Sequence, residues 1–290
     1  MVANKGSIKD NKTSVFVGVV LLAVSLLSGN NSAHADTQAA GQRLKEKGGL
    51  TAATEPAYEP FEFMQGNKLV GFGPDLLHAL AERIGVRLDQ VSMPLSGILP
   101  GLLAGKFDLA ATSLTINADR AHKIAFTRPV ANVSSVVLVR ADNTNIHSLD
   151  DLRGKIVGTQ QASASERELV KLQEQLVASG QGFGDFKRYQ AFPEIQAALL
   201  TQQIDALSLP APMAAVWMQK RPGAFRIATP WNEQRFAAWA TRPDEVELRD
   251  YLNTQLDALQ ADGTVGRLQQ KWFGTEMPTP NHGYLPEGAL

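Results

Sequence analysis

Apolar residues along this chain fall into two alternating patterns: short runs of strand length, and longer stretches in which they recur every three or four positions. Residues 50–54 read as a first strand. Leu76, Leu80 and Ile84, with Leu77 and Ala81, form one face of a helix that opens at Gly71-Phe72-Gly73-Pro74-Asp75 and stops at Gly85. Pro74 suits the first helical turn, and Asp75 the positive end of its dipole. A second strand over 87–91, a short helix over 97–104 carrying Ile98, Leu99, Leu102 and Leu103, and a strand from Lys106 to Thr112 follow. This order predicts a mainly parallel sheet flanked by helices.

The pattern then starts again. An extended run over 134–139, a helical turn over 148–152 and a strand over 155–159 lead to a helix over 163–178 with Leu169, Leu172 and Leu176 on one side. Ser163-Ala164-Ser165-Glu166 fits a capping box, and Gly180 fits the stop. Strands near 186–189, 204–209 and 225–227 alternate with helices over 193–202 and 211–220, an extended run covers 236–240, and Asp262-Gly263 separates helices over 245–261 and 264–272. The expected architecture is α/β with two lobes, each built on a mainly parallel sheet, joined by a hinge of two crossing segments. Residues 48–133 and 236–274 make one lobe, and 134–235 the other with the hinge strands. Residues 36–47 read as a polar leader and 275–290, with three prolines and no apolar period, as a surface tail.

The first 35 residues have a different character. Lys5, Lys9 and Lys12 precede an apolar stretch over 15–27, and Ala33-His34-Ala35 supplies a small-x-small cleavage pattern. That stretch is short for a spanning helix, which needs about 20 residues, so the expectation is a signal peptide cleaved after Ala35 and a periplasmic product. The formal charge of −1 comes from interspersed residues of both signs, with no basic block, so no nucleic-acid partner is expected. With no cysteine there is no disulfide, thiol nucleophile or lipid attachment through an N-terminal Cys. The five histidines lack metal spacing, no Gly-x-Ser-x-Gly elbow occurs, and Gly101 to Phe107 misses the phosphate-loop pattern, so neither metal nor cofactor is expected.

Candidate chemistry gathers at Ala111-Thr112-Ser113-Leu114-Thr115-Ile116-Asn117-Ala118-Asp119-Arg120. The end of a buried strand here offers three hydroxyls and one guanidinium, whose planar fork matches a carboxylate. A polar surface loop with a solvated Arg120 satisfies the same residues. Ligands of open α/β sheets bind beyond the carboxyl ends of strands. One lobe's strand-end loops hold Glu55, Tyr58 and 112–120, and the other's hold Gln160 to Ser163 and Pro210, so a cleft between lobes is their natural meeting point. Ser163 opens a helix whose free N–H groups favour an anion, though its capping box accounts for it equally well.

The chain resembles extracellular solute-binding proteins of the polar amino acid uptake family, the periplasmic components of ATP-binding-cassette (ABC) importers. The similarity rests on Ala57-Tyr58-Glu59-Pro60-Phe61, Gly71-Phe72 with Asp75-Leu76, Leu99-Pro100-Gly101-Leu102, Lys106-Phe107-Asp108 and Thr112-Ser113-Leu114-Thr115 with Asp119-Arg120. It continues through Phe126-Thr127-Arg128-Pro129, Asp151-Leu152-Arg153-Gly154-Lys155, Ile204-Asp205-Ala206, and Asp262-Gly263-Thr264 with Lys271-Trp272-Phe273-Gly274. These occur in family order across nearly all of the chain after the signal segment.

The resemblance implies the type II periplasmic binding protein fold, closure by a hinge, and delivery of a small carboxylate-bearing ligand to a membrane permease by a monomeric carrier that is not an enzyme. It implies that Arg120 clamps the carboxylate, that Ser113 and Thr115 contact the polar head, that Tyr58 packs over it and that Ser163 contacts it from the second lobe. Three positions depart from the family pattern. Pro210 stands where an aspartate usually pairs with the ligand ammonium, which leaves Glu55 as a substitute or points to a ligand without an α-ammonium. Gly73 stands where an acid is common and is expected to affect the helix start more than the ligand. Leu95 stands where an aromatic often stacks. Cyclohexadienyl dehydratases resemble the same proteins, so an enzyme with Glu55 or Glu194 as its acid, or a sensing module for a separate receptor, remain the alternatives.

Overall fold

A computed structural model of the chain describes residues 1–3 and 37–290, apart from residue 232. The lysines, apolar run and cleavage pattern assigned to the signal segment lie outside the described residues. The leader is not loose: residues 37–47 form helix α1. Ala40 and Leu44, one turn apart, are buried in the main apolar cluster, and a Cβ on Gly41 would stand 2.4 Å from the Tyr251 ring. Two small or apolar positions are too few to show a period in the sequence, yet they suffice to anchor one face of a helix.

Strands β1 (Gly49–Thr54), β5 (Arg87–Ser92) and β6 (Leu109–Thr115) form the parallel part of the first sheet, whose order is β5-β1-β6-β14-β7, with β8 also paired to β14. Here β7 is Ala125–Phe126, β8 is Ala131–Asn132 and β14 is Phe236–Thr241. The second sheet runs β11-β10-β12-β9-β13, from β9 (Ser135–Arg140), β10 (Ile156–Gln160), β11 (Asp185–Tyr189), β12 (Ala206–Pro210) and β13 (Phe225–Pro230).

Each sheet is mixed rather than mainly parallel. β14 is antiparallel to β6, β7 and β8, and β9 is antiparallel to β12 and β13. The cause is the two crossings. β1, β6, β10 and β12 run toward the junction between lobes, whereas β9 and β14 begin there and must run the other way. The crossing segments are bonded to each other, Val133 N–H to Arg235 O at 2.8 Å and Arg235 N–H to Ser134 Oγ at 3.1 Å.

A small third sheet, β2 (Ala57–Tyr58), β3 (Glu62–Gln65) and β4 (Lys68–Val70), was not expected. Its strands are too short to show alternation. The signal for it is Gly66-Asn67, a two-residue hairpin loop between the paired Gln65 and Lys68, with Gly66 at φ 62°. Helix α2 (Phe72–Ile84) buries Leu76, Leu77, Leu80 and Ile84, and Gly85 closes it in the left-handed conformation. Helix α3 is Leu95–Leu103 and α4 is Ala118–Ala121. In the second lobe α5 (Ala164–Ala178), α6 (Phe192–Leu200) and α7 (Ala211–Lys220) flank the sheet, and α8 (Val246–Ala261) and α9 (Thr264–Phe273) return to the first.

The tail is strapped down. Leu285 and Ala289 pack against the cluster around Ile98 and Leu114, Leu290 N–H reaches Ala121 O at 3.0 Å, and Arg249 bonds Leu290 O at 3.0 Å. Among the described residues no helix is long and apolar enough to cross a membrane. Replacing a buried Leu by Ala costs about 2–5 kcal/mol. Leu44→Ala is therefore expected to lower the unfolding free energy by that amount in chemical denaturation, and an unchanged midpoint would mean that α1 adds nothing to the stability of the core.

Candidate ligand-binding site

The site is built around the end of β6. All of β6 except Thr115 is buried, so this strand has no freedom to shift, and what it presents at its end is fixed. Past Thr115 the chain turns at Asn117, whose side chain accepts the Arg120 N–H at 3.1 Å and starts the single turn of α4. That turn folds Arg120 back over the strand end, where Nη1 donates to Thr115 O at 3.1 Å. Nη2 donates across the cleft to Ala162 O at 2.9 Å.

Arg120 is 4% exposed. Its Nε is buried with no hydrogen-bond partner, and the guanidinium forms no ion pair among the described residues. Burial, with Arg167 nearby, lowers its pKa to about 9, so it remains a cation at neutral pH. A buried guanidinium resting on carbonyls alone has unused capacity for a carboxylate.

Ala162 belongs to the loop between β10 and α5 and holds φ at 62°, a left-handed conformation uncommon for a residue with a side chain. Its N–H is bonded to Glu166 Oε2 at 2.7 Å. This clamp aims the Ala162 carbonyl at Arg120.

Glu55 lies on the other side of the site. Thr54 Oγ1 donates to Ala111 O at 3.2 Å, which ties Glu55 to the start of the polar stretch of β6, whereas Arg120 sits at its finish. Glu55 is 2% exposed and accepts a hydrogen bond from Gln160 Nε2 of the second lobe. Burial raises its carboxyl from 4.5 to about 7, against the smaller opposing effect of the Gln160 bond. Tyr58 stacks between Phe61, at 4.7 Å between ring centroids, and Phe192 of the second lobe, at 5.5 Å. Burial and then the charges of Glu62 and Glu55 hold its hydroxyl well above the usual range, so it stays protonated.

All eight expected residues, Glu55, Tyr58, Thr112, Ser113, Thr115, Arg120, Gln160 and Ser163, line one cavity of about 30 Å³ between the lobes. That is room for one or two waters. Leu95 and Pro210 line it too. Ser163 behaves as a cap: its hydroxyl accepts from Glu166 N–H at 3.0 Å and donates to Gln160 O at 2.7 Å, so the hydroxyl is committed locally. The first-turn amides of Ala164 and Ser165, residues that also line the cavity, are the free donors of that helix end.

Glu194 is exposed and caps α6 through Gln190 N–H at 3.1 Å, away from the cavity. Three participants escaped the sequence reading. Phe192 had no signal beyond being an aromatic beside Pro193, Ala162 needed backbone geometry, and Glu62 was marked only by being an acid between two phenylalanines.

Two lobes, two bonded crossings and a buried, carboxylate-free arginine at their junction define a solute-binding protein. The chain belongs to the bacterial extracellular solute-binding proteins, family 3, which it matches over residues 50–275. It is 30% identical over 263 residues to the histidine-binding periplasmic protein of Escherichia coli, covering 88% of this chain and 96% of that one. The structure of an ancestral arginine-binding protein bound to arginine is 31% identical, with a TM-score of 0.73 over 78% of this chain and 99% of that one. The ancestral amino acid-binding protein described as a precursor of cyclohexadienyl dehydratase is 27% identical, with a TM-score of 0.71 over 80% of this chain and 98% of that one.

Glu55 gives a pH dependence of definite sign. Its folded pKa of about 7 exceeds its ordinary 4.5, so between those values the folded protein holds a proton that the unfolded chain has released. Its contribution is thus fully present below the lower value and is lost as pH rises through the higher. The ligand-free protein should melt at higher temperature as pH falls from 8 to 5, and Glu55→Gln should flatten that rise. An unflattened profile would mean that Glu55 is ionised in the folded state.

Proposed function

We propose that this chain is exported, with cleavage after Ala35, and acts in the periplasm as a monomeric carrier that binds an amino acid or amino-acid derivative and delivers it to the membrane permease of an ABC importer. The observation that carries this reading is Arg120, a buried cation facing the cavity with no carboxylate partner among the described residues. A ligand carboxylate takes the place that Ala162 O now occupies, with Thr115 and the amides of Ala164 and Ser165 beside it. The relatives named for histidine and arginine bind molecules that carry this same head group.

The ligand ammonium falls to Glu55. Pro210 offers it no charge, whereas Glu55 is buried, forms no ion pair among the described residues, and lies toward the opposite end of the polar stretch of β6 from Arg120. Ser113 and Thr112 line the wall between them. Because the cavity is far smaller than an amino acid, the ligand enters when the lobes part about the crossings near 133–134 and 233–235, and it is enclosed when they close. The lobes in this reading are 48–133 with 236–274 and 134–235, a division that the two separate sheets support.

A dehydratase reading has one observation in its favour, a carboxyl with a raised pKa in a cavity with an arginine clamp. Transport without chemical change is the better reading, because Glu194, the other candidate acid, is outside the cavity and the solved neighbour linked to that enzyme is itself described as a binder. Screening purified protein by thermal shift and calorimetry against amino acids, their derivatives and prephenate separates the two. Stabilisation by an amino acid without turnover is expected, and prephenate consumption would overturn it. Removing a charged hydrogen-bond partner costs about 1.5–3 kcal/mol, or about 10- to 150-fold in affinity. Arg120→Ala is expected to lose at least that much, and normal binding by this variant would refute the carboxylate assignment.

A further inference from the structure

Glu62 lies on β3, behind the cavity wall, with no exposed surface. Its Oε1 accepts a 2.6 Å hydrogen bond from Ser113 Oγ, and its Oε2 is buried with no hydrogen-bond partner among the described residues. Room for the carboxyl exists because position 73 is glycine: a Cβ there would stand 2.6 Å from Oε1 and 2.9 Å from Cγ. Thr112 and the Ser113 backbone also act on this carboxyl from the cavity wall, each opposing the effect of burial. The carboxyl is joined to the cavity through Ser113, which lines it.

A serine hydroxyl has one hydrogen and two lone pairs. With the hydrogen directed at Glu62, Ser113 Oγ presents only lone pairs to the cavity. It accepts from a ligand N–H and cannot donate to a ligand oxygen. That direction belongs to the ionised carboxylate, which can only accept; a neutral Glu62 with its proton on Oε1 donates to Ser113 Oγ instead. Burial holds the Glu62 carboxyl well above the usual range, with the Ser113 bond the first opposing effect and Glu55 a further cause of elevation. A cation arriving beside Ser113 is the partner that the ionised form lacks.

We propose that Glu62 is a positioning residue for ligand selectivity: by fixing Ser113 as an acceptor it makes this end of the cavity specific for a protonated amine, the part that Pro210 leaves unfilled. Glu55 and Glu62 then act on the same group, one directly and one through Ser113. The inference rests on the amino-acid reading above.

The test compares two equimolar mixtures in thermal-shift titrations, one of the common L-amino acids bearing a primary α-amino group and one of the matching acids with hydrogen in its place. Native protein should prefer the first. Glu62→Gln should reduce that preference, taken as the ratio of half-saturating concentrations, by about tenfold or more. Ser113→Ala should reduce it comparably, and the double variant should fall no further, because both act through one hydroxyl. A native-like preference in Glu62→Gln, or an undiminished effect of Glu62→Gln in the Ser113→Ala background, overturns the proposal. Should Glu62→Gln not fold, Ser113→Ala decides alone, and an unchanged preference is fatal. If neither mixture stabilises the native protein, the amino-acid reading itself has failed and the role of Glu62 falls with it.

Discussion

A guanidinium buried without a carboxylate is the constraint on which this structure turns. Taking a charge out of water is costly unless hydrogen bonds replace the lost hydration, and Arg120 recovers part of that through one carbonyl from each lobe, Thr115 O and Ala162 O. The first belongs to β6, a strand buried along all but its last residue. The second belongs to a loop of the other lobe, so Arg120 is satisfied to this extent only when the lobes are together. The same cation that would bind a ligand therefore also draws the lobes closed in its absence.

The strength of that contact can be placed. A hydrogen bond to a charged group contributes about 1.5–3 kcal/mol, while a residue with a side chain in the left-handed region costs about 1–2 kcal/mol, so the Ala162 contact is favourable by a small margin. Further cross-cleft contacts are the buried Gln160–Glu55 hydrogen bond, Lys220 with Glu59 at 2.6 Å and Arg167 with Asp119 at 3.7 Å, each of these ion pairs with an exposed partner, and the Tyr58–Phe192 stack. A charged, two-pronged acceptor of the kind we propose for a ligand carboxylate is a stronger partner for Arg120 than the one neutral carbonyl it would replace.

The sequence was legible where periodicity or residue type settles the matter. The apolar faces of α2 and α5, the buried run of β6, the capping box at Ser163 and the gathering of hydroxyls before Arg120 follow from local chemistry, and together they located the cavity. What escaped depends on partners distant in the chain. The mixed pairing of β9 and β14 arises from where the crossings enter, α1 shows as a helix only through Ala40, Leu44 and the Tyr251 ring beside Gly41, and β2 to β4 are too short for a pattern. Ser163 lines the cavity, but its hydroxyl is occupied by the cap, so the free hydrogen-bonding capacity of that helix end lies in its backbone amides.

The position hardest to read was Gly73, whose lack of an acid suggested only a change in how α2 begins. Gly71, at φ 128° with its Cα so close to Phe61 O that a Cβ would stand 2.3 Å away, already presses the start of α2 against the chain before β3. At that spacing a side chain on residue 73 and a carboxyl on residue 62 would occupy the same volume. Either position can carry the bulk and charge, not both in this arrangement, and here it is residue 62, whose carboxyl points at Ser113. The missing acid at one position and the buried acid eleven residues earlier are thus one feature. The packing of α2 on β3 turns a substitution at a helix start into a change in the charge behind the ligand cavity.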